Sequence, residues 1–232
     1  MIGSEEESVS RASARALAVI LFLSAPVALA EGQGAPEGVT PEAALAMLKD
    51  GNQRYATSAV KPRHYRAERP TLTKGQKPYA IVLSCADSRV PPEIVFDESL
   101  GRLFVIRVAG NVAGPDEIAS IEYAAEHVGT RFLLVLGHAS CGGVGAAMSP
   151  EDPTPNLATL LKEIRPAVDA AKAKGADKDH LAAEAVKENV RLQLKNVTAR
   201  SEVLKKMVAE GKFGTAGAVY DLASGKVEWL AP

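Results

Sequence analysis

Two short stretches hold the residues that could do chemistry: Ser84-Cys85-Ala86-Asp87-Ser88-Arg89 and His138-Ala139-Ser140-Cys141-Gly142-Gly143. Cys85, His138 and Cys141 offer two thiolates and an imidazole. That donor set suits Zn2+, and three protein ligands leave the fourth position open to water, as a catalytic site requires. One zinc per chain is the expectation. Asp87 and Arg89 stand two and four positions past Cys85, so an extended segment would turn all three side chains the same way. A carboxylate beside a guanidinium forms a charge-assisted pair, which keeps Asp87 ionised and aimed. Three plainer chemistries compete. They are a disulfide between the only two cysteines, a structural zinc that recruits Asp87 as fourth ligand, and Cys85 as a lone nucleophile. The last is weak, because a phosphatase-type loop needs a longer arc of amides between Cys and Arg.

Positioning these residues falls to two apolar runs, Tyr79 to Leu83 and Phe132 to Leu136. Both are short, rich in Val, Leu and Ile, and without alternation, which suits strands covered on both faces. Strands are expected at 79–84, 103–109 and 131–137, alternating with helical patterns. Asp116 reads as the cap of one such helix, in which Ile118, Ile121, Ala125 and Val128 share a face and Gly129 ends it. Alternation of strand and helix implies right-handed crossovers and a mainly parallel central sheet flanked by helices, an α/β fold. Ligands in such sheets bind beyond the carboxyl ends of the strands, so both motif loops should face one crevice. Gly142-Gly143 opens a helix directly after Cys141. Two glycines permit close backbone approach, and free N–H groups at a helix start favour an anion.

Towards the amino end, Thr40 reads as an N-cap with Pro41 at the first helical position, and Asp50-Gly51 as the stop. Lys61 to Pro78 is polar and punctuated by proline, hence loop, and His64 within it reads as a solvated surface residue. From Asn156 to Glu210 the chain is nearly all helical, divided by Pro166 and Gly175, with His180 a surface residue. Thr215 to Tyr220 and Lys226 to Leu230 form a hairpin-like pair of strands at the carboxyl end, with Trp229 as a packing residue. Residues 1–30 read as a signal peptide: Ala16 to Leu23 is an apolar core too short to span a bilayer, Arg11 and Arg15 precede it, and Ala28-Leu29-Ala30 offers a cleavage site. The mature protein would be periplasmic or secreted. Residues 31–60 form a linker and an N-terminal helical arm, and 61–232 the zinc-binding α/β catalytic domain. With 27 basic and 28 acidic residues the 232-residue chain has a net charge of -1, and loss of the leader leaves 25 of each sign. No nucleic-acid or membrane-surface field is implied.

Taken together, Cys85-x-Asp87-x-Arg89 and His138-x-x-Cys141 resemble the motifs of the β-class carbonic anhydrases. Supporting matches run from Gly51-Asn52-Gln53-Arg54-Tyr55 to Ala218-Val219-Tyr220-Asp221. The resemblance implies a zinc-dependent, reversible hydration of CO2 to bicarbonate and a proton, with Asp87 and Arg89 as catalytic residues. By position relative to the motifs, Phe104, Ala109 and Tyr123 match the residues lining the family's pocket, with Ala109 where Val is common. Gln76 matches the glutamine that donates to a bicarbonate oxygen, and Gly142 and Gly143 complete the substrate side. The resemblance further implies that the N-terminal helix packs on a neighbouring subunit of a homodimer, or of a higher homo-oligomer of dimers. Val82 stands where bicarbonate-inhibited members carry Trp, which implies an open site with Asp87 off the metal. Rival activities are a zinc hydrolase of carbonyl sulfide or carbon disulfide on the same scaffold, a non-catalytic zinc or redox-sensing module, and a bicarbonate-handling partner of a transporter or shell.

Overall fold

The structure is a computed structural model that describes residues 39–231 apart from Lys178. The expected leader over 1–30 and most of the linker lie outside the described residues. In chain order the elements are α1 (Pro41–Ala56), α2 (Tyr65–Leu72), β1 (Ala80–Ser84), α3 (Pro92–Val95), β2 (Leu103–Arg107), α4 (Pro115–Glu126), β3 (Phe132–His138), α5 (Gly142–Met148), α6 (Pro155–Ala173), α7 (Leu181–Arg200), α8 (Glu202–Ala209), β4 (Gly214–Tyr220) and β5 (Val227–Trp229). A single 3₁₀ turn, Ala109–Asn111, follows β2.

The five strands form one sheet in the order β2-β1-β3-β4-β5. The pairs β1–β2, β1–β3 and β3–β4 are parallel, and β5 returns antiparallel to β4. Every residue of β1 and β3 is buried, as their unalternating apolar runs require of strands covered on both faces. Ile81, Leu83, Leu133 and Val135 point into a core shared with Ile118 and Ile121 of α4, Ile164 of α6 and Val190 of α7. Ala80, Val82, Leu134 and Leu136 point the other way, into a core with Ala44 and Leu48 of α1 and with Phe96. Each fully buried Leu or Ile in these layers contributes about 1.5–3 kcal/mol relative to exposure.

Several expectations need correction. Gly51 does not stop α1, which continues to Ala56. A Cβ at Gly51 would overlap the Phe96 carbonyl oxygen, so this glycine serves close packing of helix on backbone. Part of the stripe of α1 is covered within the chain, since Ala44 and Leu48 are buried in its own core while Leu45 is only partly covered. Asn52 fastens it there: its Nδ2 donates to the carbonyls of Val95 (3.1 Å) and Gly225 (2.9 Å), and its Oδ1 accepts from Val227 N–H at 2.9 Å. The Lys61–Pro78 stretch contains α2, a helix with no buried residue that carries Pro70 inside it; its polarity and proline masked the helix. Asp116 lies inside α4, whose N-cap is Gly114. Pro166 is accommodated within α6 because it sits on the exposed side, where water can take the carbonyl it leaves unpaired. The second break of this helical region comes instead at Ser201, whose side chain caps α8. Trp229 packs on Phe96, with 6.4 Å between ring centroids.

Candidate metal centre

The chain leaves β1 towards β2 on one side and β3 towards β4 on the other, which makes the gap between the carboxyl ends of β1 and β3 a topological switch point. Cys85 follows β1 directly, His138 ends β3, and Cys141 immediately precedes α5. Ser140 takes a left-handed conformation, φ 54°, which turns the His138–Cys141 loop back over the strand ends. All three candidate ligands are buried, and their ligand atoms lie within 4.8 Å of one another. The two Sγ atoms are 4.0 Å apart. His138 Nδ1 is 2.9 Å from the Ala139 carbonyl, so it carries the proton and leaves the Nε2 lone pair free. That Nε2 is buried and has no partner. An orphaned imidazole nitrogen beside two thiols is what a soft-donor cation site requires, and the Nδ1–H to carbonyl contact is the usual means of fixing the ligating tautomer. The residues fit zinc.

Electrostatics carry the same message. The Cys85 thiol is shifted down, chiefly by the hydrogen bond from Cys141, with help from His138 and from the amides of Asp87 and Gly110. Cys141 is shifted up, by Cys85 and by burial. Two buried thiols at this distance cannot both ionise without a cation between them. His138 loses basicity to burial but regains more from Cys85, and is held above its usual value. A bound divalent cation relieves both conflicts.

Asp87 and Arg89 are paired, though not through an extended segment. Residues 87–90 form a turn closed by Val90 N–H on the Asp87 carbonyl at 3.0 Å. Within it Asp87 Oδ1 accepts from Arg89 N–H (3.0 Å) and Nε (2.9 Å), and Oδ2 accepts from Nη2 at 2.6 Å. A side chain that captures the backbone two residues on turns the chain locally, so strand periodicity does not apply beyond Cys85. The Arg89 guanidinium holds the Asp87 carboxyl well below the usual range. Oδ2 lies 3.8 Å from His138 Nε2, at the edge of the ligand group.

The expected substrate-side residues divide. Ala109 is exposed in the turn after β2, next to Gly110, whose N–H donates to Cys85 Sγ at 3.3 Å. Gly142 faces open space, whereas a Cβ at Gly143 would come within 3.0 Å of Gly110 N; Gly143 therefore admits the close approach of the 109–111 turn. Phe104 is level with Ile81 near the amino end of β1, and its ring meets that of Tyr123 at 6.4 Å. Tyr123 is half exposed. Gln76 is exposed and precedes β1, at the opposite end of the strand from Cys85. Within one chain Gln76, Phe104 and Tyr123 are not brought to the metal group.

Residues that the motifs do not include also build the site. Arg107, the last residue of β2, donates from Nε to the Cys85 carbonyl (3.0 Å) and from Nη2 to the Asp87 carbonyl (2.5 Å). Asn189 and Gln193 of α7 are buried polar residues that bind the 109–113 backbone. Their signal was present as two amides one turn apart on the apolar face of a helix.

A sequence profile described as carbonic anhydrase matches residues 80–227. The chain is 37% identical over 195 residues to a carbonic anhydrase of Mycolicibacterium smegmatis, covering 81% of this chain and 92% of that one. Among solved structures it resembles one of two tetrameric β-carbonic anhydrases from Sordaria macrospora, with TM-score 0.66 and 25% identity over 72% of this chain and 87% of the other. It also resembles a Coccomyxa β-carbonic anhydrase in complex with acetazolamide, with TM-score 0.64 and 28% identity over 80% and 86% of the two chains.

Proposed function

The chain belongs to the β-class carbonic anhydrase family, and from that premise we infer that the Cys85–His138–Cys141 group holds one zinc and that the protein is a lyase hydrating CO2 reversibly to bicarbonate and a proton. The orphaned, buried Nε2 of His138 between two thiols is the observation that carries this conclusion. Zinc held by these three residues would make an ionised water available near neutral pH, where bulk water supplies almost none. Asp87 Oδ2, ionised and fixed by Arg89, accepts the hydrogen bond that aims the reacting water. Arg89 does not reach the ligands itself; it keeps the carboxylate from swinging. Arg107 fixes the backbone on either side of Ala86, so that Cys85 and Asp87 move as one unit. The intact Asp87–Arg89 pair supports an open site, in line with Val82 in place of Trp. Metal analysis of the purified protein together with a CO2 hydration assay tests the assignment. One zinc per chain and hydration lost on chelation is the expected result.

The working unit is a homodimer or an assembly of dimers. The exposure of Gln76 beyond the far end of β1 and of Tyr123 supports their serving a second copy, and the Sordaria relative is described as tetrameric. Sedimentation at micromolar concentration checks this. The mature enzyme is periplasmic or secreted, a proposal that rests on the apolar core and Ala28-Leu29-Ala30 site of the leader. Among the described residues no helix is long and apolar enough to cross a membrane. Mass spectrometry of protein from its native host is expected to find Glu31 at the amino terminus; retained residues 1–30 on soluble cytoplasmic protein would overturn the export proposal.

A further inference from the structure

Gly110 carries a metal ligand's second contact on a residue with no side chain to hold it. Its N–H donates to Cys85 Sγ at 3.3 Å, in a left-handed conformation with φ 68°. Its carbonyl accepts from Asn189 Nδ2 at 2.8 Å. Both polar groups of this glycine are therefore used, one on the sulfur and one on α7, and these two bonds set its orientation. The α7 side extends further. Asn189 Oδ1 accepts from Gln193 Nε2 at 3.0 Å, Gln193 Oε1 accepts from Ala113 N–H at 2.9 Å, and Arg200 Nη1 donates to the Ala113 carbonyl at 3.1 Å. Asn189 and Gln193 are 1% and 0% exposed, so water cannot replace these contacts. One helix thus holds the 109–113 loop at both ends through side chains one and three turns apart.

We propose that Asn189, braced by Gln193, is a positioning residue for the metal centre: it aims the Gly110 N–H at Cys85 and thereby tempers the electron donation of that sulfur to the metal. The proposal rests on the zinc assignment above. A hydrogen bond to a thiolate lowers the energy of the sulfur lone pair, so the sulfur gives less charge to the cation. Groups that orient a ligand from behind in this way are worth about 10–100-fold in metal affinity or activity. Asn189→Asp keeps the shape of the side chain and replaces the donor facing the Gly110 carbonyl by an acceptor. Two carbonyl-type oxygens then face each other in a buried site, and Gly110 turns away from Cys85.

The test uses the cobalt-substituted holoenzyme and a zinc competition assay with a chromophoric chelator. Wild type is expected to show a sulfur-to-cobalt charge-transfer band. In Asn189→Asp this band is expected to move to longer wavelength, because the sulfur donates more, and zinc affinity to fall by about tenfold or more, because Cys85 is no longer held in place for the cation. Gln193→Glu keeps the acceptor for Ala113 N–H but removes the donor that braces Asn189; it is expected to shift the band in the same direction by less, and carries the test should Asn189→Asp fail to fold. A band unmoved in the folded variants, with zinc affinity within about twofold of wild type and only thermal stability reduced, overturns the proposal and leaves the amides a purely structural role. Absence of any charge-transfer band in wild type would instead sink the Cys–His–Cys zinc assignment.

Discussion

The two ends of the sheet are built differently. At the amino ends of the strands polar groups are closed off: the Tyr79 hydroxyl donates to Glu98 (2.9 Å), Thr130 Oγ1 donates to the Pro78 carbonyl (3.1 Å), and Gly214 N–H donates to the Arg131 carbonyl (2.9 Å). At the carboxyl ends they are not. Among the described residues the buried side-chain polar atoms without a partner are Ser84 Oγ, Asn111 Nδ2 and His138 Nε2, and they stand at the end of β1, just after β2 and at the end of β3. Two of the left-handed non-glycine residues, Asn111 and Ser140, are there as well. Strain and unsatisfied groups persist only where the surroundings over-determine them, and they gather where a ligand is to be met. One end of this sheet is finished by the chain itself, and the other by what it binds.

The sharpest way to break this contrast is to remove the ligand. With zinc stripped, the Cys85 and Cys141 sulfurs, 4.0 Å apart in the structure, have to close to about 2.05 Å to form a bridge. Exposed to oxidised glutathione, the two thiols should give up two electrons and two protons, form an intramolecular disulfide and release two molecules of glutathione. Zinc reloading and hydration activity are then expected to be lost entirely until reductant is added. Two free thiols after oxidation would show that the carboxyl end is rigid without its metal. Metal binding should itself respond to acid. A cation must displace the proton held by Cys141 and any on His138, both of which are raised above their ordinary values, so zinc affinity is expected to climb as pH rises through the histidine range and to go on climbing towards and beyond the ordinary thiol range. Affinity independent of pH, measured by chelator competition, would contradict the coupled-thiol account.

Smaller effects are expected from changes that leave the ligands alone. Asp87→Asn should retain zinc and lower hydration by about 10²-fold, the scale of a positioned proton-handling group. Loss of zinc alongside activity would make Asp87 a ligand or a folding residue. Gln76→Ala tests whether the amino end of one copy serves the carboxyl end of another. Loss of one hydrogen bond to a charged substrate is worth about tenfold in kcat/KM, and an unchanged value would keep Gln76 out of the site.

How much of this could be read beforehand follows the same division. The candidate zinc ligands were legible because Cys85 follows a buried strand, His138 ends another and Cys141 lies in the short loop after it, and strands announce themselves by composition. The parallel sheet and the antiparallel terminal pair were legible for the same reason. The turn at 87–90 was not, because a side chain capturing its own backbone has no periodicity. Nor was Arg107, whose role depends on β2 lying next to β1, a matter of sheet order. Asn189 and Gln193 are separated from Gly110 by three helices and a strand, and only the packed fold brings them together. Gly51 was misread because a glycine that ends a helix and a glycine that admits a neighbouring carbonyl look alike in sequence.

The least effect is expected at the finished end. Thr130 is fully buried, and its hydroxyl donates to the Pro78 carbonyl just before β1. Thr130→Val conserves shape and removes only that donor, leaving the carbonyl of Pro78 buried and short of a partner. The cost is about 1–3 kcal/mol of stability, which for a domain of this size lowers Tm by roughly 2–4 °C per kcal/mol. Because β1 is paired with β2 over its whole length and with β3 from Ile81 to Ser84, a loosened amino end should not propagate to Cys85. Zinc affinity and kcat/KM per folded molecule are therefore expected to match wild type. Calorimetry and chelator competition on the same sample decide the matter: a drop in Tm with unaltered zinc binding keeps the two ends independent, and a parallel loss of zinc affinity would show that β1 transmits strain from one to the other.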